Sequence, residues 1–197
     1  MTSAPAQPDS RPARLITDGL EPKNWVILVT LLVGWHADRL AGIGWGLVAA
    51  LFSAVIPILF IKWGEKKGHW GDRHVRRRQD RLYVIPGILL SVAAGLTLTY
   101  CLGGPREVTA LVIAMLVSLF VVLAITVWWK VSVHTAVSAG AIAILVLAYG
   151  PWPLLLSPLV PVIGWSRVKL RDHTLAQVVV GTFLGAVVGG AVFQLLR

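Results

Sequence analysis

What this chain lacks narrows it first. It has one cysteine, Cys101, so it forms no internal disulfide and has no thiolate cluster for a metal. Charged residues make up only 14% of it, against about 25% in an ordinary soluble domain. Acidic residues are the scarcest of these, 9 against 18 Lys and Arg, for a net charge of +9. No carboxylate pair is spaced to hold a metal ion, and no cofactor is expected. The opening stretch, "MTSAPAQPDSRPARLITDGLEPK", lacks the apolar core of a signal peptide and reads as a disordered polar tail over residues 1–23.

What is present is apolar. Hydrophobic residues are 56% of the chain, and several runs approach the roughly 20 residues needed to cross a bilayer. Seven apolar segments follow the tail: 24–40, 43–63, 82–102, 108–129, 135–149, 153–165 and 174–196. Helix is the expected state, because a lone lipid-facing strand leaves its backbone unsatisfied. The fold class is therefore all-α, a polytopic transmembrane helix bundle with residues 24–197 as one domain. It has seven spans, or six if the first segment lies in the interface. Pro151, Pro153, Pro158 and Pro161 make the sixth segment irregular.

With seven alternating spans, fifteen of the 18 basic residues fall on the side that holds the N-terminus. The positive-inside rule makes that side cytoplasmic and the protein a multi-pass component of the cell membrane. Trp25, Trp63, Trp70, Trp128, Trp129 and Trp165 are expected at that interface, and Trp35, Trp45 and Trp152 at the other. In a soluble protein this basicity would suggest nucleic acid. Here membrane lipids and anionic headgroups explain it better, and no nucleic-acid partner is expected.

Three polar clusters share the N-terminal side: "GDRHVRRRQDR" (71–81), "KVSVH" (130–134) and "SRVKLRDHTLAQ" (166–177). If the third runs into the last helix, His173 and Gln177 share a face at i and i+4, and that face continues as Gly181, Gly185 and Gly189. Such a stripe lets helix backbones approach closely, so His173 and Gln177 point into the bundle. His134, Ser138 and Ala141 form a second small stripe. His74, Arg78 and Arg81 share a face if their segment is helical. A single Arg- and His-bearing helix end is commonly a snorkelling interface; three on one side, two with histidines at internal faces, point to chemistry. Arg forks match phosphate oxygens, and Lys130 adds a point charge. One histidine can attack phosphorus while the other protonates the leaving oxygen.

These residues resemble the type 2 phosphatidic acid phosphatase superfamily, whose motifs are K-x6-R-P, P-S-G-H and S-R-x5-H-x3-D. Ser166, Arg167 and His173 keep the third spacing, with Gln177 where the family has Asp. Ser132 and His134 keep two residues of the second. His74-x6-Arg81 keeps the spacing of the first without its Lys or Pro. The variants are similar to a divergent bacterial, polyprenyl-phosphatase-like branch. The resemblance implies a metal-independent phosphatase acting on a lipid phosphate, with a polyprenyl phosphate or diphosphate favoured. It implies His173 as nucleophile, His134 as general acid, and Arg167 and Gln177 as catalytic partners. Arg81, Arg78, Lys130, Ser132, Ser166, Asp72 and His74 are the residues expected to hold substrate, with the active site at the cytoplasmic face. The altered motifs also admit a second reading, a phospholipid-headgroup binding or transport protein without turnover.

Overall fold

The computed structural model describes residues 10–70 and 78–197, which are helical with short connections and, among the described residues, no strand. Four stretches are long and apolar enough to cross a bilayer: Arg11–Lys66, Gln79–Cys101, Arg106–Thr126 and Leu175–Leu196.

The first of these is not one rod. Helix α1 (Arg11–Gly19) is followed by α2 (Pro22–Ala50), a π-turn at Leu51–Val55 and α3 (Ile56–Lys66). Inside α2, Asp38 and Arg39 leave the helical region, with Arg39 at φ 44°. The chain reverses there: a Cβ on Gly34 would strike the Gly42 carbonyl, and one on Gly46 would meet the Thr30 carbonyl at 2.6 Å. Gly42 and Gly46 form a GxxxG pair that lets the two halves of α2 lie backbone to backbone. Thus segments 24–40 and 43–63 pack as an antiparallel hairpin.

Helix α4 (Arg78–Cys101) leads to α5 (Arg106–Thr126), α6 (Val133–Tyr149), a 3-10 turn at Trp152–Leu156 and α7 (Leu159–Lys169). Helix α8 (Leu175–Leu184) continues through a second π-turn, Gly185–Gly189, into α9 (Gly190–Leu196). The short α6 lies at the centre, with Ile142, Ile144 and Leu145 in a core shared with Val29, Val33, Leu111, Ile163 and Phe193. Burial inside protein rather than lipid is what allows a helix of 17 residues to run the depth of the bundle.

The glycine stripe allows close backbone approach, as its spacing predicts. Cβ atoms on Gly181 and Gly185 would meet the carbonyls of Ser132 and Ala136, and one on Gly189 would meet Gly140 Cα. The two faces advance together, four residues at a time. The face of α6 that receives the stripe is therefore Ser132–Ala136–Gly140 rather than His134–Ser138–Ala141.

The expected disordered tail over residues 1–23 is corrected over 11–19, which form α1. Pro12 sits in the first turn, where its missing N–H leaves no bond unmade. Ala13 and Thr17, one turn apart, are buried, and the Thr17 hydroxyl meets the Ser166 hydroxyl of α7 at 3.0 Å. Of the tryptophans expected at that interface, Trp25 and Trp70 are buried within the protein, while Trp63, Trp128, Trp129 and Trp165 are exposed.

Candidate active site

The start of α4, the α5–α6 connection and the α7–α8 connection meet at one end of the bundle. Arg81, in the first turn of α4, is 5% exposed. Its Nη1 donates to the Val131 carbonyl at 2.7 Å, and its Nη2 reaches His173 Nε2 at 3.5 Å. Lys130 Nζ donates to the Asp172 carbonyl at 2.6 Å. The Ser132 N–H donates to the Gln177 carbonyl at 3.2 Å. These cross-links gather Arg81, Lys130, Ser132, His173 and Gln177, five of the residues expected from the sequence.

His173 precedes the helix rather than lying within it. Thr174 is the N-cap of α8 and Gln177 its third residue. They form a capping box, in which the Thr174 hydroxyl accepts the Gln177 N–H and the Gln177 side chain accepts the Thr174 N–H. A backbone N–H only donates, so the atom it meets at 3.2 Å is the amide oxygen. That oxygen also lies 3.0 Å from His173 Nδ1, which must carry the proton. Arg81 likewise only donates, so His173 Nε2 presents its lone pair to the guanidinium. The ring is 6% exposed and held neutral. Burial, then Arg81, Lys130 and Arg167 push its pKa from 6.5 down to about 3, against the opposing effect of the hydrogen bond that the ring donates to Gln177.

Arg167 is buried on the last turn of α7 and makes an ion pair with Asp172, Nη2 to Oδ2 at 3.0 Å. The turn between them depends on Arg171, whose φ of 56° is left-handed. This folds the chain back so that the N–H groups of Asp172 and His173 both donate to the Arg167 carbonyl. Asp172 is the site residue that the sequence reading leaves out. Its signal is a lone carboxylate among three cations, beside the histidine.

The remaining expected residues divide. His134 is buried on the first turn of α6 and lines a cavity together with Arg81. The Ser132 hydroxyl accepts the Thr135 N–H as the N-cap of α6, which anchors the helix carrying His134. Ser166 donates to the Ile163 carbonyl at 2.7 Å and faces Thr17 of α1, away from His173. Asp72 and His74 lie outside the described residues, as does the Arg78 side chain. Among the described residues, no group of three or more His, Cys, Asp and Glu is arranged to hold a metal ion.

Chemically, the arrangement offers an imidazole lone pair against the Arg81 guanidinium, with Lys130 and Arg167 near enough to lower its pKa and a second buried histidine on the first turn of α6. That suits attack on an electrophile carrying negative charge. No protein-family model, curated protein or solved structure matches this chain.

Proposed function

We propose that this protein is an integral membrane lipid phosphate phosphatase. It hydrolyses a polyprenyl phosphate or diphosphate, or a related phospholipid monoester, through a phosphohistidine on His173. The observation that carries the reading is the tautomer of His173: Nδ1–H on the Gln177 oxygen, and Nε2 unprotonated beside Arg81. An anion-binding site needs cations; it does not need a neutral imidazole with its lone pair turned to one of them.

In this reading Nε2 attacks phosphorus, a P–N bond forms, and the bond from phosphorus to the leaving oxygen breaks. His134 gives that oxygen its proton. Water then attacks phosphorus, His134 takes the water proton, and the P–N bond breaks to release phosphate and restore His173. Arg81, Arg167 and Lys130 offset the charge on the phosphoryl oxygens throughout. The chain crosses the membrane seven times in a type 2 phosphatidic acid phosphatase-like core, counting the α2 hairpin as two passes, with the mouth at the cytoplasmic face. The reversal at Asp38–Arg39 supports that count, and the gathering of basic residues at the His173 end supports the orientation.

The test is phosphate release by purified protein from prenyl diphosphates, prenyl phosphates and phosphatidic acid, with EDTA present and His173→Ala alongside. Release lost in the variant supports the proposal. No release from any lipid, with lipid binding intact in both proteins, replaces it with the headgroup-binding reading.

A further inference from the structure

A cavity of about 270 Å³, partly open to its surroundings, lies between the helices. Arg81, His134 and the start of α2 form one end of its wall, and along α6 the wall runs from His134 to Ile144, about 15 Å at 1.5 Å per residue. Below the rim the lining is aliphatic apart from the hydroxyls of Ser53 and Ser118. Such a space is a poor home for water, which needs two or more polar partners. It is also too small for a helix, about 10 Å across with side chains.

The chamber is shaped by two backbone irregularities. Ser53 and Ala54 come from the π-turn Leu51–Val55, and Gly185, Val188 and Gly189 from the π-turn Gly185–Gly189. A π-turn widens a helix at a cost in regular bonding, and such turns occur mostly where a site requires them. Here two from different helices border one space. The carbonyl of Phe52 in the first accepts the Ser91 hydroxyl of α4 at 2.6 Å, which holds that wall in place.

Charge at the rim names the occupant. Arg81 borders the chamber and also contacts His173 Nε2, so one guanidinium belongs to both. Glu21 at the rim is paired with Lys23. A molecule spanning both spaces has an anionic head at Arg81 and a hydrocarbon body below. A dry cavity of about 150 Å³ holds the six carbons of benzene, so about 270 Å³ holds about ten. We infer that this chamber seats about the first ten carbons of a single hydrocarbon chain of a lipid phosphate whose head lies at Arg81, inside the bundle rather than in the surrounding bilayer. This inference rests on the lipid-phosphate reading and adds a limit on chain shape: one chain enters, and length beyond the chamber adds no binding.

The test uses the full chain in phosphatidylcholine nanodiscs with a series of alkyl phosphonates, butyl to hexadecyl, read as the rise in Tm. In the wild type the rise grows to about decyl and then levels. Ser118→Phe fills the chamber and loses the gain between hexyl and decyl. Gly189→Ala guards against misfolding, since its Cβ meets Gly140 Cα and Ser118 Oγ at an ordinary 3.6 Å; it shows the same loss, smaller. Leu195→Phe, on the exposed surface, keeps the wild-type profile. A rise that continues to hexadecyl, or one that Ser118→Phe leaves unchanged, overturns the chamber. Failure of the phosphatase reading looks different: no phosphate is released from any substrate, yet the profile still levels near decyl.

Discussion

The Nδ1–H of His173 donates to the Gln177 side-chain oxygen across 3.0 Å, and that oxygen is fixed by the Thr174 N–H. A carboxylate at this position would both orient the ring and stabilise its cation. The amide orients the ring without the charge, so burial and three cations face no anion at Nδ1.

The first prediction concerns that charge. Across pH 8 to 5 the His173 ring does not titrate by NMR, because its pKa lies near 3. Gln177→Glu keeps the capping box, for which Glu is equally suited, and places a carboxylate against Nδ1. Its expected effect is a His173 midpoint moved well up towards the ordinary value of about 6.5. An unmoved midpoint would show that the side chain at 177 does not govern this ring.

The same shift sets how stability depends on pH. A histidine whose folded-state pKa is lowered binds fewer protons in the folded protein than in the unfolded chain, between about 3 and 6.5. Stability is therefore at its plateau above about 6.5, falls as pH drops through that window, and levels below about 3. Thermal unfolding from pH 8 to 4 should show a shallower acid slope in His173→Gln than in the wild type.

Arg167 and Asp172 give the second site prediction. Both side chains are almost wholly buried, at 1% and 3% exposure. Asp172→Asn removes the buried carboxylate that is paired with Arg167, a change that costs about 3 kcal/mol in buried pairs. Inorganic phosphate, added to the variant, should restore part of the lost Tm and do so more than in the wild type, where Asp172 competes for Arg167. Equal phosphate effects in both proteins would place the anion site away from Arg167.

What the sequence discloses follows from what repeats along it. Gly181, Gly185 and Gly189 recur every four residues, so their packing face is legible, and His173 and Gln177 at its head are legible with them. The reversal inside α2 is legible only in part: the polar residues His36, Asp38 and Arg39 end one apolar segment before the next begins, but the turn itself depends on Arg39 at φ 44°, which leaves no mark in the sequence. Asp172 is hidden for a similar reason: its pairing with Arg167 is made by the left-handed Arg171, a backbone choice without a sequence period. Helix α1 is hidden because an alanine and two hydroxyls, rather than a hydrophobic stripe, seat it on α7. The cavity belongs to no residue at all; it is a gap between helices whose widths are set by two π-turns.

The glycine stripe makes a paired prediction about stability. A Cβ on Gly185 would run into the Ala136 carbonyl, backbone against backbone, whereas one on Gly189 makes only ordinary contacts at 3.6 Å and beyond. Gly185→Ala should cost at least about 1–3 kcal/mol, as overpacking of a rigid contact does, and Gly189→Ala should stay within about 0.5 kcal/mol of the wild type. Denaturant unfolding in mixed micelles separates the two. Equal costs would mean that α6 and α8 do not meet along this stripe.

The last prediction tests how α1 is held. Ser166 donates its one proton to the Ile163 carbonyl, so in the Thr17–Ser166 contact Thr17 is the donor. Both side chains are fully or nearly fully buried, at 2% and 0% exposure. Thr17→Val keeps the shape and removes the donor, at a cost of about 1 kcal/mol for a neutral hydrogen bond. Ser166→Ala removes the acceptor. In a double-mutant cycle the pair should show a coupling of about 1 kcal/mol, and each single variant should be cleaved faster by protease within residues 11–19. Because Ser166 adjoins Arg167 in the sequence, release of α1 should also loosen the last turn of α7, read as faster amide exchange at Arg167 and Val168. Unchanged exchange there, with cleavage enhanced, would separate α1 from the site it sits beside.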